Sequence, residues 1–396
     1  MILFEGEAYE SCQEVLRILT KAGFDAYIVG GAVRDAILGL PVADFDLASS
    51  AKPEEVLTLF EKVVPTGIDH GTVTVIYQYQ SFEITTFRSE MLYTDHRHPS
   101  EVSYVSTIED DLSRRDFTIN SMALSDTGDL IDPYGGQEDL KHRLIRTVGD
   151  PGDRFQEDAL RMVRALRFQS VLDFTLEYET AEALSTHAQL LKYIAIERLQ
   201  TEMSKLLGGK AAKKAFIQLF TSGVDKYLPG LSGMKDFLQK NDHLTMLLQT
   251  EEERWAWLTR GQSDPVSFLK GWRLSNRLVR KVEHLLHLVS QVQQEGWTKR
   301  TLYDAYPNEK YCERLLAVIE GRKPNYKQVD QMIASLEITS SDMLAVTGGD
   351  LINWTGVKPG PWVGEALRQI ELAVLSEEIK NEKSSIKRWL EKWQTQ

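Results

Sequence analysis

The chain has 396 residues, too many for one hydrophobic core, and 42% hydrophobic with 26% charged residues is a globular composition. No apolar run is long enough to cross a bilayer, and an N-terminus carrying Glu5, Glu7 and Glu10 does not read as a signal peptide. A net charge of −12 argues against non-specific coating of nucleic acid; the two cysteines, Cys12 and Cys312, make neither a disulfide framework nor a zinc site, which fits a reducing cytoplasm.

In chain order, Glu7 to Lys21 has the periodicity of an amphipathic helix, and Ala26 to Val29 is a short β-rich run. Gly30-Gly31-Ala32-Val33-Arg34-Asp35 follows, with a helix-like stretch from Val33 to Leu38. Glycines before a helix let backbone approach a phosphate, and Arg34 adds positive charge. Next comes Asp44-Phe45-Asp46-Leu47. On an extended strand, residues two apart share a face, so the two carboxylates project together while Phe45 and Leu47 face a core. Paired carboxylates repel unless a cation lies between them, and oxygen ligands suit a hard ion such as Mg²⁺. A lone Asp-x-Asp more often marks a turn; its conjunction with the glycine turn reads as a metal–triphosphate site.

Glu54 to Phe60 is helical after Pro53, while Gly71 to Tyr79 and Phe82 to Phe87 alternate as strands do. Glu83, polar between Phe82 and Ile84, is a candidate third carboxylate. Arg88 to Pro99 is polar, lacks periodicity and reads as a loop. Ser113 to Asn120 (SRRDFTIN) is polar and dense; near a triphosphate, Arg115 becomes a phosphate or ribose ligand. Asp132 to Gly136 is a turn. Mixed elements to about residue 146 suggest an α/β domain with a small sheet.

After Pro151-Gly152 strand signals nearly vanish. Asp153 caps a predicted helix over Phe155–Leu172, and further helical periodicity recurs at 179–191, 197–207, 213–221, 252–260, 278–293 and 363–375. Within Glu157 to Phe168, Asp158 and Arg161 stand at i and i+3, and Arg161, Arg164 and Arg167 recur at steps of three. The plain alternative for Asp158 and Arg161 is an intrahelical salt bridge worth a few tenths of a kcal/mol. Basic clusters at 205–214, 273–281, 299–300 and 380–392 are each either a solvated helix face or part of a surface for a phosphate backbone.

Taken in order, GGAVRD with DFD, RRDFTIN, DPYGG, EDALRMVRALRF and ERLQTEM resemble the five motifs of the bacterial class II tRNA nucleotidyltransferases, the CCA-adding enzymes, over about the first 205 residues. Beyond Gly208 the likeness lies in length and helicity. The resemblance implies an α+β fold: a nucleotidyltransferase-type head with a small mixed sheet over 1–146, then an elongated, seahorse-like all-α portion with a neck over 147–207 carrying a base-reading helix, a body over 208–296 and a tRNA-binding tail over 297–396. It implies Mg²⁺ on Asp44 and Asp46. It gives Gly31, Arg34 and Arg115 to the nucleotide's phosphates and sugar, and Asp158 and Arg161 to its base, with Arg164 and Arg167 nearby.

The implied partners are the tRNA 3′ end, CTP and ATP, with no membrane; the oligomeric state is left open, a homodimer included. The chemistry is coherent. The RNA 3′-hydroxyl attacks the α-phosphate in line, expelling pyrophosphate, and needs no covalent nucleophile. Cytosine and adenine both present an amino donor beside a ring-nitrogen acceptor, which Asp158 and Arg161 match; uracil and guanine present the reverse. Mispaired buried polar groups cost about 1–3 kcal/mol each, so such a site rejects the wrong base by roughly 10⁴-fold.

Four alternatives share parts of this pattern. A poly(A) polymerase carries a basic-aromatic stretch where this chain reads Lys62 to Gly67 (KVVPTG). A CC-only enzyme lacks the loop read here at 88–99. An A-only enzyme is not separated by sequence. A non-catalytic tRNA-binding protein is disfavoured by intact Asp44 and Asp46. No His-Asp doublet occurs, so no phosphohydrolase activity is expected.

Overall fold

The computed structural model describes residues 6–42, 44–93, 99–240 and 247–393. The chain forms two compact units, residues 1–235 and 236–396.

The first unit opens with α1 (Glu7–Lys21), which buries Cys12, Val15, Leu16 and Leu19 along one stripe. Strand β1 (Ala26–Val29) runs through Gly30 into α2 (Gly31–Ile37). Then come β2 (Asp46–Ser49), α3 (Pro53–Leu59), β3 (Val63–Gly67), β4 (Thr72–Tyr77) and β5 (Gln80–Thr86). Strands β6 (Arg88–Tyr93) and β7 (Pro99–Tyr104) pair only with each other. They are followed by α4 (Ile108–Ser113), β8 (Ala123–Ser125), β9 (Leu130–Ile131), α5 (Gly136–His142) and β10 (Leu144–Ile145).

Seven strands make one sheet in the order β3-β4-β5-β2-β1-β8-β9, antiparallel except for the β2–β5 pair. In β5, Phe82, Ile84 and Thr86 are buried, leaving Glu83 on the other face. In β2, Leu47, Ala48 and Ser49 are all buried and only Asp46 is exposed, as befits a central strand whose first residue reaches the sheet edge.

Two expectations change. The 88–99 segment is not a loop throughout: 88–93 is a strand paired with 99–104, ordered by cross-strand backbone hydrogen bonds that polar side chains do not signal. Residues 94–98 lie outside the described residues. The helix expected over 155–172 is two helices, α6 (Pro151–Glu157) and α7 (Leu160–Leu172). Asp150, not Asp153, caps the first, accepting the Asp153 N–H at 3.0 Å. Asp158 is extended, at φ −138°, ψ 103°, and its carboxylate accepts the Leu160 N–H at 3.1 Å. An aspartate that satisfies the next helix's free donor starts a new helix instead of continuing the old one.

Helix α7 buries Leu160, Met162, Val163, Ala165, Leu166 and Phe168. After β11 (Thr175–Leu176), parallel to β10, come α8 (Tyr178–His187), α9 (Ile196–Leu207) and α10 (Ala212–Thr221). At the turn before α10, a Cβ on Gly209 would lie 2.5 Å from the Ser170 backbone, so only glycine lets this turn close on α7.

The second unit is helical: α11 (Lys235–Lys240), α12 (Glu251–Thr259), α13 (Pro265–Gly271), α14 (Asn276–Glu295), α15 (Lys299–Ala305), α16 (Glu309–Glu320), α17 (Tyr326–Ile333), α18 (Gly348–Thr355), α19 (Pro361–Leu375) and α20 (Lys383–Trp393). Trp255 and Trp272 are buried with ring centroids 5.4 Å apart. Buried Glu253 caps α12 and receives Arg314 Nε at 2.7 Å, so this buried charge is paired. Several lysines of the basic clusters are matched by carboxylates, Lys214 with Asp173, Lys281 with Glu252, Lys299 with Glu377 and Lys383 with Asp350. No helix among the described residues is long and apolar enough to cross a membrane.

Candidate active site

The strand-to-helix turn is built by Gly30, at φ 70°, ψ −129°, a conformation an L side chain rarely adopts. A Cβ there would lie 3.1 Å from Arg115 Nη1, so that guanidinium rests against the turn. Arg34 is held in a bracket: Nε and Nη2 donate to the Asp35 carboxylate at 2.8 and 2.9 Å, and Nη1 donates to Asn120 Oδ1 at 2.8 Å. Arg115 donates to Asp111 Oδ2 at 3.1 Å. Burial would raise the Asp111 carboxyl, but Arg114 and Arg115 outweigh it and hold it below the usual range.

The carboxylates meet on the sheet. Asp46 opens β2 and stands in register with Glu83 on parallel β5, while Asp44 is exposed two residues earlier. Phe45 and Leu47 are buried, so the strand alternation read from the sequence holds. Desolvation raises the Asp46 pKa, Glu83 and Asp44 raise it further, and Arg115 opposes them. Mutual repulsion of this kind is relieved by a divalent cation, and the all-oxygen donor set suits a hard ion. The carboxylates are neighbours and not a closed cage: among the described residues no three metal-binding side chains are gathered into a ready-made site.

The arginines of α7 lie differently from a free basic spiral. Arg161 is buried; its Nη1 donates to Glu157 at 2.6 Å and to the Arg154 carbonyl at 3.3 Å, and its Nη2 to the Arg114 carbonyl at 2.9 Å. Arg164 grips Asp116 Oδ2 through Nε and Nη2 at 2.7 and 2.5 Å. Arg167 lies 3.1 Å from Glu202. Asp158 does not pair with Arg161: its carboxylate takes Arg198 Nη1 and Nη2 at 3.3 and 2.7 Å. Although Asp116 is buried, Arg164 together with the Asn120 hydrogen bond pulls its pKa down to about 2.

The structure thus gathers Gly31, Arg34 and Arg115 at the turn, sets Asp46 among Glu83, Arg115 and Asp44, and ties Arg161 and Arg164 to the RRDFTIN segment. Reading the sequence missed Asp111, Asp116, Asn120, Glu157, Arg198 and Glu202, the partners of these arginines and of Asp158. All but Asp111 lie inside motifs already recognised, so their density of polar residues next to apolar ones was the available signal. Burial pushes the Cys12 and Cys312 thiols up to about 12, so neither serves as a nucleophile.

Three family models match the chain: Poly A polymerase head domain over residues 26–146, Probable RNA and SrmB- binding site of polymerase A over 173–234, and tRNA nucleotidyltransferase domain 2 putative over 246–390. The chain is 41% identical over 389 residues to the CCA-adding enzyme of Geobacillus stearothermophilus, covering 96% of each chain. It is 43% identical over 379 residues to that of Listeria monocytogenes serotype 4b, covering 95% of this chain and 96% of the other. Among solved structures it is similar to the Bacillus stearothermophilus CCA-adding enzyme in complex with CTP, with TM-score 0.89 and 39% identity over 99% of this chain and 98% of that one. A tRNA nucleotidyltransferase complexed with a primer tRNA and an incoming ATP analog aligns at TM-score 0.63 and 25% identity, over 82% of this chain and 97% of that one.

Proposed function

Because the chain belongs to the family of CCA-adding enzymes, we propose that it adds C, C and A to the 3′ end of tRNA from CTP and ATP, releasing pyrophosphate and using no nucleic-acid template. The observation that carries this reading is the β2–β5 register, which sets Asp46 beside Glu83, with Asp44, the Gly30–Gly31 turn and Arg115 adjacent.

Nucleotidyltransferases of this family generally require a divalent metal. Asp44 and Asp46 would hold Mg²⁺, whose chemistry is Lewis-acid activation of the 3′-oxygen and neutralisation of the leaving group. The Gly31 backbone and the Arg34 and Arg115 guanidiniums hold the triphosphate for in-line attack. Base choice follows from spare capacity. A carboxylate has about four acceptor positions, and three of Asp158's are taken by Arg198 and the Leu160 N–H. Both Nη1 hydrogens of Arg161 and one of its Nη2 hydrogens are engaged. One acceptor and one Nη2 donor remain, which match the amino group and ring nitrogen shared by cytosine and adenine. Arg164 and Arg167, spent on Asp116 and Glu202, support this segment from behind. The helical tail over 297–396 binds tRNA, and the protein works in the cytoplasm, where tRNA is matured.

The test is incubation of a tRNA lacking its 3′ CCA with each nucleotide, read as product length on a gel. CTP alone should add two residues, and CTP with ATP three. A stop after CTP in the presence of both nucleotides, addition of A only to a tRNA already ending in CC, or a long ladder with ATP alone would replace this reading by a CC-only enzyme, an A-only enzyme or a poly(A) polymerase respectively; no extension would favour a non-catalytic binder.

A further inference from the structure

Between the proposed phosphate grip and the base-reading segment lies a continuous polar chain. Arg34 Nη1 donates to Asn120 Oδ1 at 2.8 Å, and Asn120 Nδ2 donates to Asp116 Oδ1 at 3.1 Å. The second oxygen of Asp116 receives Arg164 of α7 at 2.5 and 2.7 Å. Arg34 and Arg164 also share one aromatic surface, lying 5.2 and 5.7 Å from the Phe168 ring centroid, with Arg167 at 4.0 Å. Asn120 is only 6% exposed. Its amide orientation is dictated by its neighbours: reversed, an N–H would meet the Arg34 guanidinium and a carbonyl would meet the Asp116 carboxylate, repulsive on both sides.

We propose that Asn120 is a positioning residue that couples the triphosphate grip to base selection, by joining Arg34 to the Asp116–Arg164 anchor of α7. The inference rests on the nucleotide site proposed above. An uncharged group that accepts on one side and donates on the other is what this place requires. Arginine on one flank needs an acceptor and aspartate on the other needs a donor; an amide supplies both within one short side chain. The carboxylate of Asp116 is thereby shared between Asn120, the Phe117 N–H at 2.9 Å and Arg164, and the direction in which it holds Arg164 depends on all three. Arg161 lies one helical turn earlier on α7, so a shift of the Arg164 anchor moves the donor that meets the base.

The two halves of the coupling separate by substitution. Asn120→Asp keeps an acceptor for Arg34 and removes the donor to Asp116, placing two carboxylates together. It should leave the KM for CTP within about twofold of wild type and lower the CTP-over-UTP and ATP-over-GTP ratios of kcat/KM by about tenfold. Asn120→Ala removes both contacts and should raise KM for all nucleotides as well as lowering the ratios. Asn120→Ser, whose hydroxyl both accepts and donates, should recover part of the selectivity. Thermal melts establish which variants are folded. If Asn120 served only packing, the melts would drop while KM and the ratios of the folded fraction stayed at wild type. That result, or unchanged ratios in the folded Asn120→Asp variant, overturns the coupling. Arg34→Ala and Asp158→Ala run alongside. If these raise KM and lower the ratios while the Asn120 variants do not, the coupling alone fails; if they too change nothing, the site assignment fails and the coupling falls with it.

Discussion

Replacing Asp158 by alanine tests the base-reading assignment most directly. Its carboxylate accepts three hydrogen bonds, two from Arg198 and one from the Leu160 N–H that starts α7. Loss of the Leu160 hydrogen bond costs about 1 kcal/mol. The ion pair is partly solvated, its side chains 17% and 30% exposed, so its loss adds about 1 kcal/mol. For a unit of 235 residues, a cost of about 2 kcal/mol lowers the melting temperature by roughly 4–8 °C, and the variant remains folded for assay. The effect on selectivity is larger. The same carboxylate that accepts the amino group of cytosine or adenine also repels the carbonyl of uracil or guanine. Removing it abolishes a discrimination of about 1–3 kcal/mol. The CTP-over-UTP and ATP-over-GTP ratios of kcat/KM should each fall by roughly five- to a hundredfold, at about 1.4 kcal/mol per decade. The assay uses tRNA lacking CCA for the first ratio and tRNA ending in CC for the second, with folding checked by thermal melt. Unchanged ratios in a folded Asp158→Ala protein would mean that the base is read elsewhere and that the Asp158–Arg198 pair only braces the α6–α7 junction.

Asp44→Ala and Asp46→Ala should each abolish nucleotide addition while filter binding shows tRNA affinity largely retained; near-normal turnover in either would remove the metal assignment. Gly30→Ala forces a side chain into φ 70°, ψ −129° and against Arg115, so the KM for CTP should rise at least tenfold with a stability loss of about 1–3 kcal/mol; a variant with wild-type KM would show that the turn does not cradle the nucleotide. Asp116 titrates near 2 when folded, against 3.8 ordinarily. Its lowered value contributes about 2 kcal/mol, present in full above about pH 4 and lost as the pH falls through 2. The difference in melting temperature between wild type and Asp116→Asn should therefore be widest near neutrality and narrow in acid; a gap independent of pH would contradict the Arg164 pairing.

What the sequence determined by itself was local. The stripe of Cys12, Val15, Leu16 and Leu19 and the alternation in β4 and β5 report which face is buried, and those elements appear where periodicity put them. The glycine turn and the Asp44–Asp46 spacing were legible because each depends on residues only a few positions apart. Partner choice was not. Asp158 looked like the neighbour of Arg161 on one helix, yet it breaks that helix and binds Arg198, 40 residues on. The three arginines of α7 were legible only as a repeat at steps of three, and buried or half-buried carboxylates from α6, the RRDFTIN segment and α9 take all three. Glu83 stood out in the sequence as a polar residue between Phe82 and Ile84, but that it lies opposite Asp46 was decided by the parallel register. Periodicity encodes burial, which follows from each residue's own polarity. Pairing among charged groups depends on which side chains the packed backbone brings within hydrogen-bond reach, and only the tertiary structure decides that.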